Sequence, residues 1–105
     1  MLTAAEVGTI GEQIAATWLK ANAWEVYRNT KLPGATDIQA SSGSRSLLVQ
    51  VKTAVFPNLP VFLNNDDKKA IVTRANNNGN EAWLAQLQIN DKGALVGKIT
   101  WTKLN

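Results

Sequence analysis

Asp37-Ile38-Gln39-Ala40-Ser41-Ser42-Gly43-Ser44-Arg45-Ser46-Leu47-Leu48-Val49-Gln50-Val51-Lys52 decides how the rest of this 105-residue chain is read. Apolar residues recur on both sides of Gly43-Ser44, a pair suited to a type II′ turn. The stretch therefore predicts a hairpin, with Ala35 to Ala40 running against Ser46 to Thr53. That turn pairs Ser42 with Arg45, and counting outward pairs Asp37 with Gln50 and Ala35 with Lys52. Directly opposed residues of an antiparallel pair share a face. Asp37, Gln50 and Lys52 then point one way, while Ile38, Ala40, Leu47, Val49 and Val51 point the other way into a core. A register slip of one residue would undo the alignment.

Upstream, Thr3 and Glu6 form a Ser/Thr-x-x-Glu capping box for a helix running to about Lys20 or Ala21, with Asn22 as a left-handed stop. Val7, Ile10, Ile14 and Trp18 recur at helical spacing and are expected to form its buried stripe. A second stripe of Gly8, Gly11, Glu12, Ala15 and Leu19 is small in volume, which points to close approach by another backbone. Trp24 to Arg28 alternates as a first strand. Downstream, Phe56 to Phe62 carries two prolines and reads as an ordered loop or edge. Asn64 to Asp67 supplies a cap and acids for a second helix ending near Asn77, with Gly79 as its stop. Glu81 to Ile89 and Ala94 to Lys103 read as two more strands. The order α-β-β-β-α-β-β argues for an α/β domain over residues 1–105, a mixed sheet flanked by helices with at least one parallel crossover. Trp18, Trp24, Trp83 and Trp101 fit core positions better than base-stacking ones. Phe56 and Phe62 are expected in the core or at a dimer contact.

Composition narrows the chemistry. An apolar share of 45% with 18% charged residues suits a folded domain, and a net charge of +3 permits a polyanionic partner. With no His and no Cys, histidine-based nucleases, thiol chemistry and Cys/His zinc sites are excluded. Lack of cysteine fits a reducing cytoplasm, and neither a signal peptide nor a membrane span is expected. Carboxylates, amides and amines are left to do any chemistry. Asp37 would bind a divalent cation, with the Gln50 side-chain carbonyl, the Val51 backbone carbonyl and Glu12 as further oxygen donors suited to Mg²⁺ or Mn²⁺. Lys52 would stabilise charge on an attacked phosphate or help orient and deprotonate water. Lys68, Lys69 and Arg74 on the second helix either line a DNA backbone or form a solvated face, and Lys31 and Arg45 share that ambiguity.

Gly11-Glu12, Gly34-Ala35-Thr36-Asp37-Ile38 and Leu48-Val49-Gln50-Val51-Lys52 together resemble the PD-(D/E)XK nuclease superfamily, most of all archaeal and viral Holliday junction resolvases and related small endonucleases. The likeness covers roughly residues 8–54 by motif. It implies a restriction-endonuclease-like fold and a Mg²⁺-dependent DNA endonuclease, with Glu12, Asp37, Gln50 and Lys52 as the catalytic set and Arg28 at a phosphate-contacting position. It further implies junction resolution by a homodimer, acting in the cytoplasm of the cell or of a virus-infected host. A homing or mobile-element endonuclease of the same fold, and an inactive nucleic-acid-binding relic, are the other readings. Two positions depart from the pattern. Gln50 stands where a glutamate is usual, removing one negative charge, and Thr36 replaces the proline before the aspartate.

Overall fold

The computed structural model describes residues 1–28 and 38–105. Helix α1 spans Ala4–Ala21, and its start is the expected capping box: the Glu6 N–H donates to Thr3 Oγ1 at 3.1 Å and the Thr3 N–H to Glu6 Oε1 at 2.9 Å. Its exit differs from expectation. Asn22 has φ −104°, and the left-handed residue is Ala23, at φ 68°. The Trp24 N–H still reaches back to the Leu19 carbonyl and closes the turn, so hydrogen bonding to the helix end holds an alanine where asparagine or glycine is usual.

Strands β1 (Glu25–Arg28), β2 (Ile38–Ser42) and β3 (Arg45–Val55) form an antiparallel meander. Helix α2 (Asn65–Asn77) then carries the chain over to β4 (Glu81–Ile89), which pairs parallel to β3, and β5 (Leu95–Lys103) closes the sheet antiparallel to β4. The strand order is β1-β2-β3-β4-β5, so the mixed sheet and its single parallel crossover among the described strands are as anticipated. The β2–β3 register, from Ser42↔Arg45 to Ile38↔Val49, is the one the turn chemistry implied. Gly43 has φ 59° while Ser44 stays at negative φ, which is the pattern of a type II′ turn.

The sheet carries a core on each face. On one side, Ile38, Ala40, Leu47, Val49 and Val51 pack with Ala15, Ala16 and Leu19 of α1. On the other, Leu48, Ala82 and Leu84 pack with Leu63 and with Ile71 and Ala75 of α2. The fully buried positions of α1 are thus Gly11, Ala15 and Leu19 of the small stripe together with Ala16, with Gly8 and Glu12 half-buried, and not Val7, Ile10, Ile14 and Trp18. Small side chains let the helix backbone press onto the sheet. The larger ones are displaced to its flanks, where Val7, Ile10 and Ile14 are half-buried and Trp18 is 41% exposed. Among the described residues no helix is long and apolar enough to cross a membrane.

Candidate functional site

Gln50, Val51 and Lys52 sit on β3, the middle strand of five, paired with β4 residues Leu84, Ala85 and Gln86. Side chains alternate along a strand. Val49 and Val51 enter the α1-side core, so half-buried Gln50 and Lys52 emerge on the α2 side, the face of Leu48. That face is partly covered by the proline-containing segment after β3. Gln86 Nε2 donates to the Val61 carbonyl at 2.9 Å, and Gln88 Nε2 to the Asn58 carbonyl at 2.8 Å. Two glutamines at period-two spacing on β4 thus fasten residues 58–61 beside Lys52. Nothing in the sequence flagged them, because glutamine on a strand ordinarily reads as solvated.

Glu12 arrives from the other layer. Gly11 of α1 lies so close to β3 that a Cβ there would collide with the Thr53 side chain, which makes Thr53 the neighbour of both Gly11 and Lys52. The Thr53 hydroxyl is buried and without a hydrogen-bond partner among the described residues. Gly11 thus packs α1 onto the strand that carries Gln50 and Lys52, but on its other face, because Thr53 alternates with Lys52 and shares the face of Val49 and Val51. Glu12 is half-buried, and Glu12, Gln50 and Val51 each have an interaction partner. Asp37, and with it the expected Asp37–Gln50 pair, lies outside the described residues, as does Lys31. Among the described residues no three carboxylates gather in one place. The described donors, one carboxylate, one amide carbonyl and one backbone carbonyl, are hard oxygen ligands of the type magnesium takes, with a single formal anion among them.

The expected DNA-facing cations separate into distinct settings. Lys68, Lys69 and Arg74 all lie exposed on α2, where Lys69 and Arg74 border a shallow groove with Thr73 and Asn77. Arg28 closes β1, opposite Ile38. Arg45 is committed elsewhere: its Nε and a terminal nitrogen each reach a Glu81 carboxylate oxygen at 2.9 Å, and its guanidinium lies 5.2 Å from the Trp24 ring centroid. Trp83 Nε1 adds a third hydrogen bond to Glu81 at 3.1 Å. The Arg45 hydrogen bonds hold the Glu81 carboxyl down at about 2, with the indole N–H lowering it further against partial desolvation. A separation of 36 residues hid this pair from any local pattern.

The aromatic expectations need correction. Trp18 is exposed rather than core, and Trp24, Trp83 and Trp101 only pack against the edge of the α1-side core. Phe56 and Phe62 are 57% and 50% exposed, so neither lies in the core. Leu59 and Val61 of the same segment are exposed as well.

No protein-family model and no curated protein matches this chain. Among solved structures it is similar to the Holliday junction resolvase Hjc of the archaeal hyperthermophile Archaeoglobus fulgidus. The TM-score is 0.71 at 24% identity, covering 92% of this chain and 72% of that one. The chain therefore has the mixed α/β fold of that archaeal resolvase.

Proposed function

We propose that this protein is a Mg²⁺-dependent DNA endonuclease that resolves four-way junctions. The observation that carries the reading is the Gln50-Val51-Lys52 motif on the central strand of a resolvase-like sheet, with Gly11, the residue before Glu12, pressed against Thr53 of that strand. Glu12, Asp37, Gln50 and the Val51 carbonyl would hold the cation, and Mn²⁺ would substitute for it. When bound, it supplies Lewis-acid polarisation of the scissile phosphate and activation of water. Lys52 places an ammonium beside the developing charge on the phosphate oxygens and orients the incoming water. The water oxygen bonds to phosphorus, the ester P–O bond breaks, and the leaving sugar oxygen takes up the released proton. Gln50 binds without adding charge, so Glu12 and Asp37 are the only anions in the set.

Arg28, Lys31, Lys68, Lys69 and Arg74 would follow the phosphate backbone. A homodimer suits the two symmetric cuts a junction needs, and the exposed apolar side chains of Phe56, Leu59, Val61 and Phe62 are what it would cover. The test is to incubate the protein with junction, duplex and single-stranded DNA, in Mg²⁺ and in EDTA. Junction cleavage that needs Mg²⁺ and disappears in Asp37→Ala, with junction binding retained, is the expected result. Undiminished cleavage by Asp37→Ala would remove the metal site. Cutting of one duplex sequence in preference to junctions would replace resolution with sequence-specific cleavage.

A further inference from the structure

We infer that Lys98 is a substrate-positioning residue: it extends the proposed site across the sheet by contacting a further phosphate of the nucleic-acid strand held at Lys52. The inference rests on the nucleic-acid reading above and names where that strand runs. Gln86 of β4 stands beside Lys52 of β3 on one side and beside Thr100 of β5 on the other, so the three form one lateral row. Next to that row β5 bulges. Gln86 pairs with Thr100 and Gln88 with Val96, which leaves Leu87 alone opposite Gly97, Lys98 and Ile99. Gly97 takes φ 73°, and a Cβ there would meet nothing within 4 Å, so this glycine serves the bulge rather than a close contact. Two extra residues preserve the alternation. Ile99 packs on the α1-side core, and Lys98 keeps the face of Thr100 with no partner in the β4 ladder. There it borders a groove of about 270 Å³ with Thr100, Gln86, Gln88, Leu59 and Pro60.

Charge and spacing select the occupant. On this face of β3, β4 and β5, Lys52 and Lys98 are the only charged residues, so those strands set two cations there and no carboxylate. Lys98 is exposed, and among the described residues no carboxylate pairs with it. The segment that Gln86 and Gln88 tie down lies over β4, between the two lysines. They are thereby kept from converging on one small anion. Two strand spacings, roughly 10 Å, separate β3 from β5. Phosphates of one DNA strand recur about every 3.4 Å along the helix axis, so the lysines suit phosphates about three apart. A polyanion of regular spacing bridges such a pair, and Lys52 already fixes which polyanion it is.

The experiment titrates a fluorescent four-way DNA junction with the full chain in EDTA, following anisotropy over a range of NaCl concentrations. Lys98→Ala should reduce the slope of log affinity against log salt by about 1, weakening binding roughly 8-fold at 0.1 M salt. Lys98→Arg should keep the wild-type slope. Lys103→Ala removes a charge from the same strand but from the opposite face, beside Trp83, and should leave the slope unchanged. Lys98→Gln, which keeps a long stem, should repeat the loss and stands in if Lys98→Ala fails to fold. An unchanged slope in the folded Lys98 variants overturns the inference. So does an equal loss in Lys103→Ala, which would mean diffuse attraction by net charge. Competition by inorganic phosphate beyond its ionic strength also overturns it, in favour of a small-anion site. Junction cleavage in Mg²⁺ with no slope change in Lys98→Ala would strike this inference alone. A reduced slope in a protein that cuts nothing would strike the nuclease proposal alone.

Discussion

Replacing Gly8 and Gly11 by alanine, one at a time, should move stability in opposite directions although both residues lie in α1. Alanine in a helix interior is favoured over glycine by about 0.5–1 kcal/mol, largely through the unfolded chain's entropy. A Cβ at Gly8 meets nothing within 4 Å, so Gly8→Ala keeps that whole gain. A Cβ at Gly11 would lie 2.8 Å from Thr53 Cβ and 3.0 Å from its Cγ2, with the hydroxyl nearer still. Threonine is branched at Cβ and stiff, so relief means moving helix from strand. Overpacking of this kind costs about 1–3 kcal/mol, which after the propensity gain leaves Gly11→Ala less stable by up to about 2.5 kcal/mol. At roughly 4 °C per kcal/mol, melting followed by circular dichroism should rise by a few degrees for Gly8→Ala and fall for Gly11→Ala. Thr53→Ala removes the hydroxyl that has no partner and should be nearly neutral alone. Combined with Gly11→Ala, it should recover about 1 kcal/mol as a coupling term. If Gly11→Ala stabilises as much as Gly8→Ala, or if Thr53→Ala recovers nothing, α1 does not press on β3 as described, and Glu12 loses its placement. Under the proposed function, Gly11→Ala should also depress cleavage, while Gly8→Ala leaves it intact.

Glu81 titrates at about 2 in the folded protein against an ordinary 4.5, so the unfolded chain takes up the proton first as pH falls. Its stabilisation is therefore fully present above about pH 4.5 and lost as pH falls toward 2. Arg45 is 55% exposed, so screening trims the contribution to about 1 kcal/mol. Urea melts of wild type and Glu81→Gln should differ by that amount at neutral pH and converge in acid; a constant gap would refute the pairing. Asn105→Ala removes the acceptor for the buried Ala82 N–H (2.9 Å) and the donor to Asn76 Oδ1 (2.9 Å) and the Asn80 carbonyl (3.3 Å). A loss of about 1–2 kcal/mol in urea unfolding is expected, and none would mean that this tie is idle. Gln50→Glu should preserve or raise Mg²⁺ affinity, read from the Mg²⁺ dependence of cleavage. A large loss would show a site tuned for a neutral ligand.

Local chemistry was enough to predict every element and the hairpin register. The capping box at Thr3 and Glu6, the Gly43-Ser44 turn, the Asn64 cap and the alternation in Leu47 to Val51 each act within a few residues, and each reappears in the structure. A parallel crossover was also expected from the element order, and the structure places it between β3 and β4. Side-chain fate was another matter. Periodicity ranks residues by hydrophobicity, whereas α1 buries the face that lets backbones approach most closely. Gly11 and Ala15 are therefore inside and Trp18 is not. Partners far apart in sequence came only from the packed sheet. Arg45 met Glu81 across β3 and β4, two glutamines fastened residues 58–61, and four tryptophans scattered over 84 positions came to line one groove. Asp37 was singled out by its counted pairing with Gln50 across the hairpin and by the motif Gly34-Ala35-Thr36-Asp37-Ile38. A strand's alternation says which way a residue points, but only the folded sheet says what it meets there.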